Sequence, residues 1–368
     1  MDSGASESVS AERRRASGGE GRRWKVFCSR NMPDVALELT REVADVDLWD
    51  GEDAPPHDVL LERLRDCDGF ISLLTDRIDA DLMDRCPRLK VITQLAVGFN
   101  NIDIAAATAR GIYVTNTPDV LNETVVETTF ALLFAMARRI VEADKYVRDG
   151  QWKISWHPLM MLGSDLFGAK LAIVGLGRIG KRVALIAQAF GAEVIYFDEY
   201  RSLDFEKEHN VRWLPLDDLY KEADFISLHV NLTDSTRHMI NARSLALMKP
   251  TAIIINTARG PVINQKDLTQ ALKEKKIGGA ALDVFEQEPI DPSDELLSLT
   301  NVVVAPHVGS ASFRTRFLMA QMQTPASTNA HVVARRMAAE IVGKNQQAFW
   351  RGERPPQLVN ADVMRVNP

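Results

Sequence analysis

Lys170-Leu-Ala-Ile-Val-Gly175-Leu176-Gly177-Arg178-Ile179-Gly180-Lys-Arg-Val-Ala184 runs from an apolar, β-branched stretch through three spaced glycines into a helical pattern. A strand that ends in such a spacing and opens a helix gives each glycine its own task. Gly175 makes the tight turn, Gly177 lets backbone approach a pyrophosphate, and Gly180 packs the new helix on its strand, so the helix N-terminus faces the phosphates. Spaced glycines also punctuate ordinary strand-to-helix turns, so the surroundings decide the reading. The next apolar run, Glu193–Phe197, ends at Asp198. That is roughly the twenty-residue distance at which a carboxylate meets the adenosine ribose 2′-hydroxyl. An acid there repels a 2′-phosphate and favours NAD, while the neighbouring Arg201 keeps NADP possible. Asp198 also reads as a plain strand-end turn residue.

From this stretch the same pattern extends to about Pro306, with strands expected at 170–174, 193–197, 224–229, 252–256, 279–282 and 302–305. Each run ends in something polar: Asp198, His229, Asn256-Thr257-Ala258-Arg259-Gly260, Asp283, and Pro306-His307-Val308-Gly309. Polar residues at the carboxyl ends of a parallel sheet are what a crevice-bound ligand needs. Upstream, order begins with a short strand at Trp24–Ser29, and strand-like and helical runs alternate again through Ile112–Thr115. The expected architecture is therefore α/β, with two Rossmann-like domains, each a parallel sheet flanked by helices, and a cleft between them. Residues 120–311 form the expected dinucleotide-binding domain. Residues 24–119 with 312–368 form a discontinuous substrate-binding domain, and residues 1–23 a Ser/Gly/Glu-rich disordered tail. The first sheet carries no glycine fingerprint, but its loop Leu95-Ala-Val97-Gly98-Phe99 follows a strand end, where Gly98 exposes backbone N–H groups to a carboxylate or simply turns the chain.

Composition bounds the function. The 368 residues are 46% apolar with a formal charge of −6, which leaves no basic footprint for nucleic acid and no polybasic membrane patch. No apolar run approaches the eighteen or so residues of a membrane span, and the leader lacks the apolar centre of a secretory signal. Cys28, Cys67 and Cys86 have neither metal-ligand spacing nor the even count of a disulfide framework, so a reducing, cytoplasmic setting is expected.

Asn122–Arg148 reads as one long helix capped by Gly150, apolar on nearly every face from Val125 to Ala137. A helix of that kind is buried, either at a joint between domains or at a subunit interface. The aromatic arm that follows, 151–168, contains Trp152, Trp156 and Met161 and reads as a contact surface. A homodimer formed through helix 122–148 and this arm is the expectation, with packing inside one chain as its rival.

Three strand-end side chains make a working set. Arg259 offers a planar fork for bidentate binding of a carboxylate. His307 supplies an imidazole suited to proton transfer near neutral pH, and Glu288 is placed to accept a hydrogen bond from it and hold it charged. Arg, Glu and His also occur together as surface ion pairs.

Val97-Gly98-x-x-Asn101-Ile-Asp103, the glycine run 175–180, Asn256-Thr-Ala-Arg-Gly260, Leu282-Asp-Val-Phe-x-x-Glu288-Pro289 and Pro306-His-Val-Gly-Ser-Ala311 together resemble the D-isomer-specific 2-hydroxyacid dehydrogenase family. Asp76-Arg-Ile-Asp79, Gly111–Pro118 and Trp156-His-Pro-Leu159 resemble its glyoxylate/hydroxypyruvate reductase branch. The resemblance covers residues 24 to about 320 and resumes near 337–360. It implies that Arg259 binds the 2-oxo acid carboxylate and that Val97 and Gly98 add backbone donors. It implies that His307 is the acid in reduction and the base in oxidation, with its protonation sustained by Glu288. Thr124, Thr257, Ala258 and Asp283 would line the nicotinamide side, with Gly309 beside His307. Hydride would pass from the nicotinamide to the carbonyl carbon while His307 protonates the oxygen.

Two features depart from the family. Val230-Asn231 stands where many relatives carry Pro, and Ala326–Met337 echoes Ala311–Met322 in a frame of fifteen, like an extra copy of the start of a helix. The resemblance also admits rival readings. An NAD-sensing corepressor could use the same scaffold. Another D-2-hydroxyacid dehydrogenase, such as phosphoglycerate dehydrogenase, would often carry an added regulatory domain, for which the roughly sixty residues after His307 leave no room.

Overall fold

The computed structural model describes residues 23–32, 34–322, 359, 360 and 362. The expected N-terminal tail up to residue 22 and the repeat-like stretch 323–337 lie outside the described residues. The chain divides into two compact units, one reaching Leu121 and taken up again at Ser312, the other Asn122–Ala311.

In the first unit the elements run β1 (Trp24–Cys28), α1 (Asp34–Val43), β2 (Ala44–Leu48), α2 (His57–Leu64), β3 (Gly69–Ser72), α3 (Ala80–Arg85), β4 (Val91–Gln94), α4 (Ile104–Ala109) and β5 (Tyr113–Thr115). The strands pair in parallel in the order β2-β1-β3-β4-β5. Sequence dictates where the helices start. Asp79 accepts the Leu82 N–H at 3.0 Å and Asp103 the Ala106 N–H at 2.8 Å, so the two Ile-Asp pairs are helix N-caps. Asn360 accepts the Val114 N–H at 2.9 Å and donates to the Ile112 carbonyl at 2.7 Å, fastening the C-terminal stretch to β5.

In the second unit the order is α5 (Asn122–Ala137), α6 (Ile140–Arg148), β6 (Lys170–Val174), α7 (Arg178–Ala189), β7 (Glu193–Phe197), α8 (Leu203–His209), β8 (Arg212–Trp213), α9 (Leu216–Glu222), β9 (Phe225–Leu228), α10 (Ala242–Leu245), β10 (Ile253–Asn256), α11 (Gln265–Lys273), β11 (Gly279–Leu282) and β12 (Val302–Val304). The sheet is parallel in the order β12-β11-β10-β9-β6-β7-β8, so the winding reverses at β6. Its central strands Phe225–Leu228 and Ile253–Asn256 are buried at every residue, as expected for strands covered on both faces.

Two strands escaped the sequence reading. β2 carries Asp45 and Asp47 on a sheet edge, and β8 is only two residues long. The expected single helix 122–148 is two helices. The Ala137 carbonyl accepts the Ser164 N–H at 2.8 Å, and Arg139 takes a left-handed backbone with φ 55° before α6 begins. α5 buries its apolar side chains inside its own unit, against α7, β10, β11 and β12. The exposed apolar side chains lie further on: Ile140 and Val141 on α6, and Trp152, Ile154, Trp156 and Leu159 on the arm.

Glycine is obligatory where α7 leaves β6. Gly175 has φ +97°, and a Cβ there would lie 2.8 Å from the His229 carbonyl. A Cβ on Gly180 would lie 2.1 Å from the Gly175 carbonyl oxygen. Gly180→Val should therefore push α7 off its strand and lower stability by about 2–3 kcal/mol. A urea midpoint followed by circular dichroism checks this; an unchanged midpoint would show that the helix sits further from the strand.

Candidate active site

The site is assembled from the carboxyl ends of β6, β7, β10, β11 and β12. At β6 the chain passes through Gly175 and Gly177 into the N-terminus of the twelve-residue α7, with Gly177 as N-cap. A Cβ built on Gly177 meets nothing within 4 Å, so open space stands in front of the helix N–H groups. Arg178 and Ile179 form its first turn. The Asp198 carboxylate at the end of β7 accepts the Leu176 N–H at 2.7 Å and the Tyr200 N–H at 3.1 Å, which ties it to the glycine loop. Open space before helix N–H groups, beside a fixed carboxylate at the next strand end, fits a dinucleotide's pyrophosphate and adenosine ribose.

At β10, Asn256 organises the turn that presents Arg259. Its side-chain oxygen accepts the Ala258 N–H at 3.0 Å and its amide donates to the Arg259 carbonyl at 3.0 Å. The Arg259 guanidinium donates to the Ala258 carbonyl at 2.6 Å. Burial pushes it below its ordinary range while the charge of Glu288 pulls it back up. Gly260 follows because a Cβ there would strike the Phe285 carbonyl, in the loop that carries Glu288, at 1.8 Å.

At β11 and β12 the chain is bracketed by Asp283. Its carboxylate accepts the Val308 N–H at 2.8 Å and the Gly309 N–H at 2.7 Å, and its backbone carbonyl accepts the His307 N–H at 2.8 Å. Burial raises the Asp283 carboxyl against the pull of these two donors. Within this bracket His307 adopts a left-handed backbone with φ 52°. Its Nδ1 lies 2.6 Å from Glu288 Oε2, with both side chains about one-third exposed, at 33% and 34%. Burial would push the Glu288 carboxyl up. The hydrogen bond and charge of His307, the Phe285 N–H at 3.0 Å and the charge of Arg259 outweigh burial and hold it below the ordinary value. The stabilisation from this pairing is thus present above the ordinary carboxylate range and is lost as pH falls through the depressed value.

The expected residues are divided between the two units. Arg259, Glu288, His307, Thr257, Ala258, Asp283 and Gly309 gather at the ends of β10, β11 and β12, and Gly175, Gly177, Gly180 and Asp198 at β6 and β7. Val97 and Gly98 belong to the other unit, in the loop after β4, where the Val97 carbonyl accepts the Asn116 amide at 2.8 Å and the Gly98 carbonyl the Gln94 amide at 3.3 Å. The sequence reading missed two threonines of α5, the helix on which Thr124 also stands. Thr129 Oγ1 lies 3.0 Å from Thr257 Oγ1, and Thr128 Oγ1 donates to the Gly309 carbonyl at 3.2 Å. Hydroxyls recurring on an otherwise apolar buried helix were the signal available in the sequence.

Against known proteins, residues 130–309 match the family model described as D-isomer specific 2-hydroxyacid dehydrogenase, NAD binding domain. A glyoxylate reductase of Korarchaeum cryptofilum is 52% identical over 344 residues, covering 94% of this chain and 98% of the relative. The chain belongs to the D-isomer-specific 2-hydroxyacid dehydrogenase family. It is an oxidoreductase acting on CH–OH. A crystal structure from Thermus thermophilus superposes on this dehydrogenase with a TM-score of 0.79 at 40% identity, covering 91% of this chain and 99% of the other. An NADPH-dependent glyoxylate/hydroxypyruvate reductase of Sinorhizobium meliloti, solved with NADP and malonate, does so with a TM-score of 0.77 at 29% identity, covering 93% and 98%. Among the described residues no helix is long and apolar enough to cross a membrane.

In this dehydrogenase the Asp283 bracket is what an amide at that position would undo. Asp283→Asn turns one acceptor into a donor that faces a backbone N–H. The expected cost is about 1–3 kcal/mol, with faster hydrogen exchange confined to Val308 and Gly309. Exchange rates at those two amides that match the parent would remove Asp283 from this role.

Proposed function

We propose that this dehydrogenase reduces small 2-oxo acids, glyoxylate and hydroxypyruvate among them, to 2-hydroxy acids with NADH or NADPH, and that His307 is the proton donor. The observation that carries the proposal is the 2.6 Å contact between His307 Nδ1 and Glu288, beside the guanidinium of Arg259. The names of the Korarchaeum and Sinorhizobium relatives support the substrate class, the second of them NADPH, and the family model's name NAD.

The glycine loop and Asp198 would hold the dinucleotide, which would supply a hydride to the carbonyl carbon when bound in its reduced form. The chain's own residues do the rest. The fork of Arg259 takes the substrate carboxylate bidentately and fixes the carbonyl. With Nδ1 committed to Glu288, the proton that His307 transfers is the one on Nε2, delivered to the carbonyl oxygen as negative charge develops there. In oxidation the same nitrogen takes the hydroxyl proton. Glu288 does not meet the substrate; it orients the imidazole through Nδ1. Thr124, Thr257, Ala258 and Asp283 line the nicotinamide side in this reading, residues 120–311 are the dinucleotide-binding domain, and residues 24–119 with 312–368 are the substrate-binding domain. The three cysteines, all free and buried, suit a cytoplasmic setting.

The kinetics of glyoxylate reduction test the assignment. His307→Ala should lose about 10²–10⁴-fold in kcat. Arg259→Ala should raise KM and depress turnover. Glu288→Gln removes the carboxylate that orients the imidazole and should lower kcat with KM little changed. An unchanged kcat in Glu288→Gln would take that role from Glu288, and an active His307→Ala enzyme would take the proton from His307.

The homodimer belongs to the same proposal. Trp156 is 75% exposed and Leu159 71% on the arm beside the exposed apolar face of α6, a patch of the kind partners cover. Sedimentation should give twice the chain mass for the parent and a monomer for Trp156→Glu with Leu159→Glu; a monomeric parent refutes it.

A further inference from the structure

The cofactor's adenosine end carries a device that the glycine spacing does not announce. Asp198 is held by the Leu176 N–H of the glycine loop and by the Tyr200 N–H of its own turn, which together fix the direction of its charge. Within the turn Asp198-Glu-Tyr-Arg201-Ser the single cation is Arg201, and it is already engaged. Its Nε and Nη2 donate to the two oxygens of Glu206 at 3.0 and 2.6 Å. The guanidinium also lies 5.3 Å over the ring of Trp213, whose indole N–H donates to the Asp198 carbonyl at 3.1 Å. Glu206 in turn accepts the Tyr196 O–H at 2.6 Å, and the same phenol oxygen accepts the Ser202 N–H at 3.0 Å. The Glu206 side chain is 15% exposed against 49% for Arg201, so the acid is the anchored partner and the cation is what it holds. A bidentate carboxylate occupies the fork that a 2′-phosphate would otherwise take and cancels its charge.

We propose that Glu206, by holding Arg201 against Trp213, is a specificity-determining residue that works with Asp198 to make NADH the preferred reductant. The inference rests on the reading that the loop 175–180 and Asp198 hold the dinucleotide. Glu206 touches neither cofactor nor substrate; it acts by withholding Arg201. The two acids oppose a 2′-phosphate in different ways, one by repulsion and one by occupying the cation. Removing either alone therefore leaves the other barrier standing.

Dissociation constants for NADH and NADPH, taken from the fluorescence of each nucleotide titrated with the full chain, test this without turnover. The parent should bind NADH at least about 10-fold more tightly than NADPH. Asp198→Asn and Glu206→Gln should each tighten NADPH by only a few-fold, and the double variant by more than the product of the two. Glu206→Gln should leave NADH binding unchanged, and Arg201→Ala should leave both nucleotides as in the parent. Loss of NADPH affinity in Arg201→Ala, with NADH unaffected, would show that Arg201 already serves the phosphate and would overturn the inference while leaving the dinucleotide site intact. Strictly multiplicative single effects would overturn it as well. Failure of the parent to bind either nucleotide would overturn the dinucleotide reading beneath it, and the inference with it. Should Glu206→Gln fail to fold, the Arg201→Ala comparison decides alone.

Discussion

One carboxylate, that of Asp283, sets the position of everything at the far end of the sheet. Two successive backbone N–H groups after β12 point at it, while its own carbonyl takes a third from His307. A histidine in the left-handed region costs of order 1 kcal/mol and persists only where its surroundings over-determine it. Three hydrogen bonds accepted by buried Asp283, just past the neighbouring strand, are that over-determination. The imidazole then emerges where β11's following loop delivers Glu288, and the two meet. A strand-end turn in ordinary geometry would send the ring elsewhere.

The same economy recurs at the other strand ends. At β10, Asn256 closes the turn on both sides, so Arg259 leaves a rigid corner and not a floppy loop. At β6 the turn is closed by the absence of side chains, because Gly175 and Gly180 abut backbone atoms directly. α5 runs behind these ends as a common brace. Its apolar side chains fill the core under β10 to β12, and its threonines reach Thr257 and Gly309. Packing and site geometry are thus served by one helix.

Much of this was legible in the residues. Apolar runs of four to six with polar ends mark buried parallel strands, and the expected positions at 170–174, 193–197 and 279–282 are those of β6, β7 and β11. The strands that went unseen are the ones whose periodicity is hidden: β2, a sheet edge with alternating acids, and β8, too short to show a period. The broken helix went unseen for a different reason. Arg138 and Arg139 are good helix formers, and the break comes from a partner 27 residues away, where Ser164 claims the carbonyl of Ala137 that would have accepted the next turn's N–H.

By itself the sequence determined that the chain is a doubly wound α/β protein, that a glycine loop opens α7, and that chemistry-bearing side chains stand at strand ends. Those are consequences of local rules, the period of hydrophobicity and the conformational freedom of glycine, which need no knowledge of distant residues. Only the tertiary structure decided which strand ends are neighbours, that Asp283 serves the backbone around His307, and that Arg201 is held by Glu206 and Trp213. Strand order and the direction of a long side chain depend on contacts between segments far apart in the chain. Arg, Glu and His side chains reach equally well toward solvent or toward one another until packing selects one arrangement.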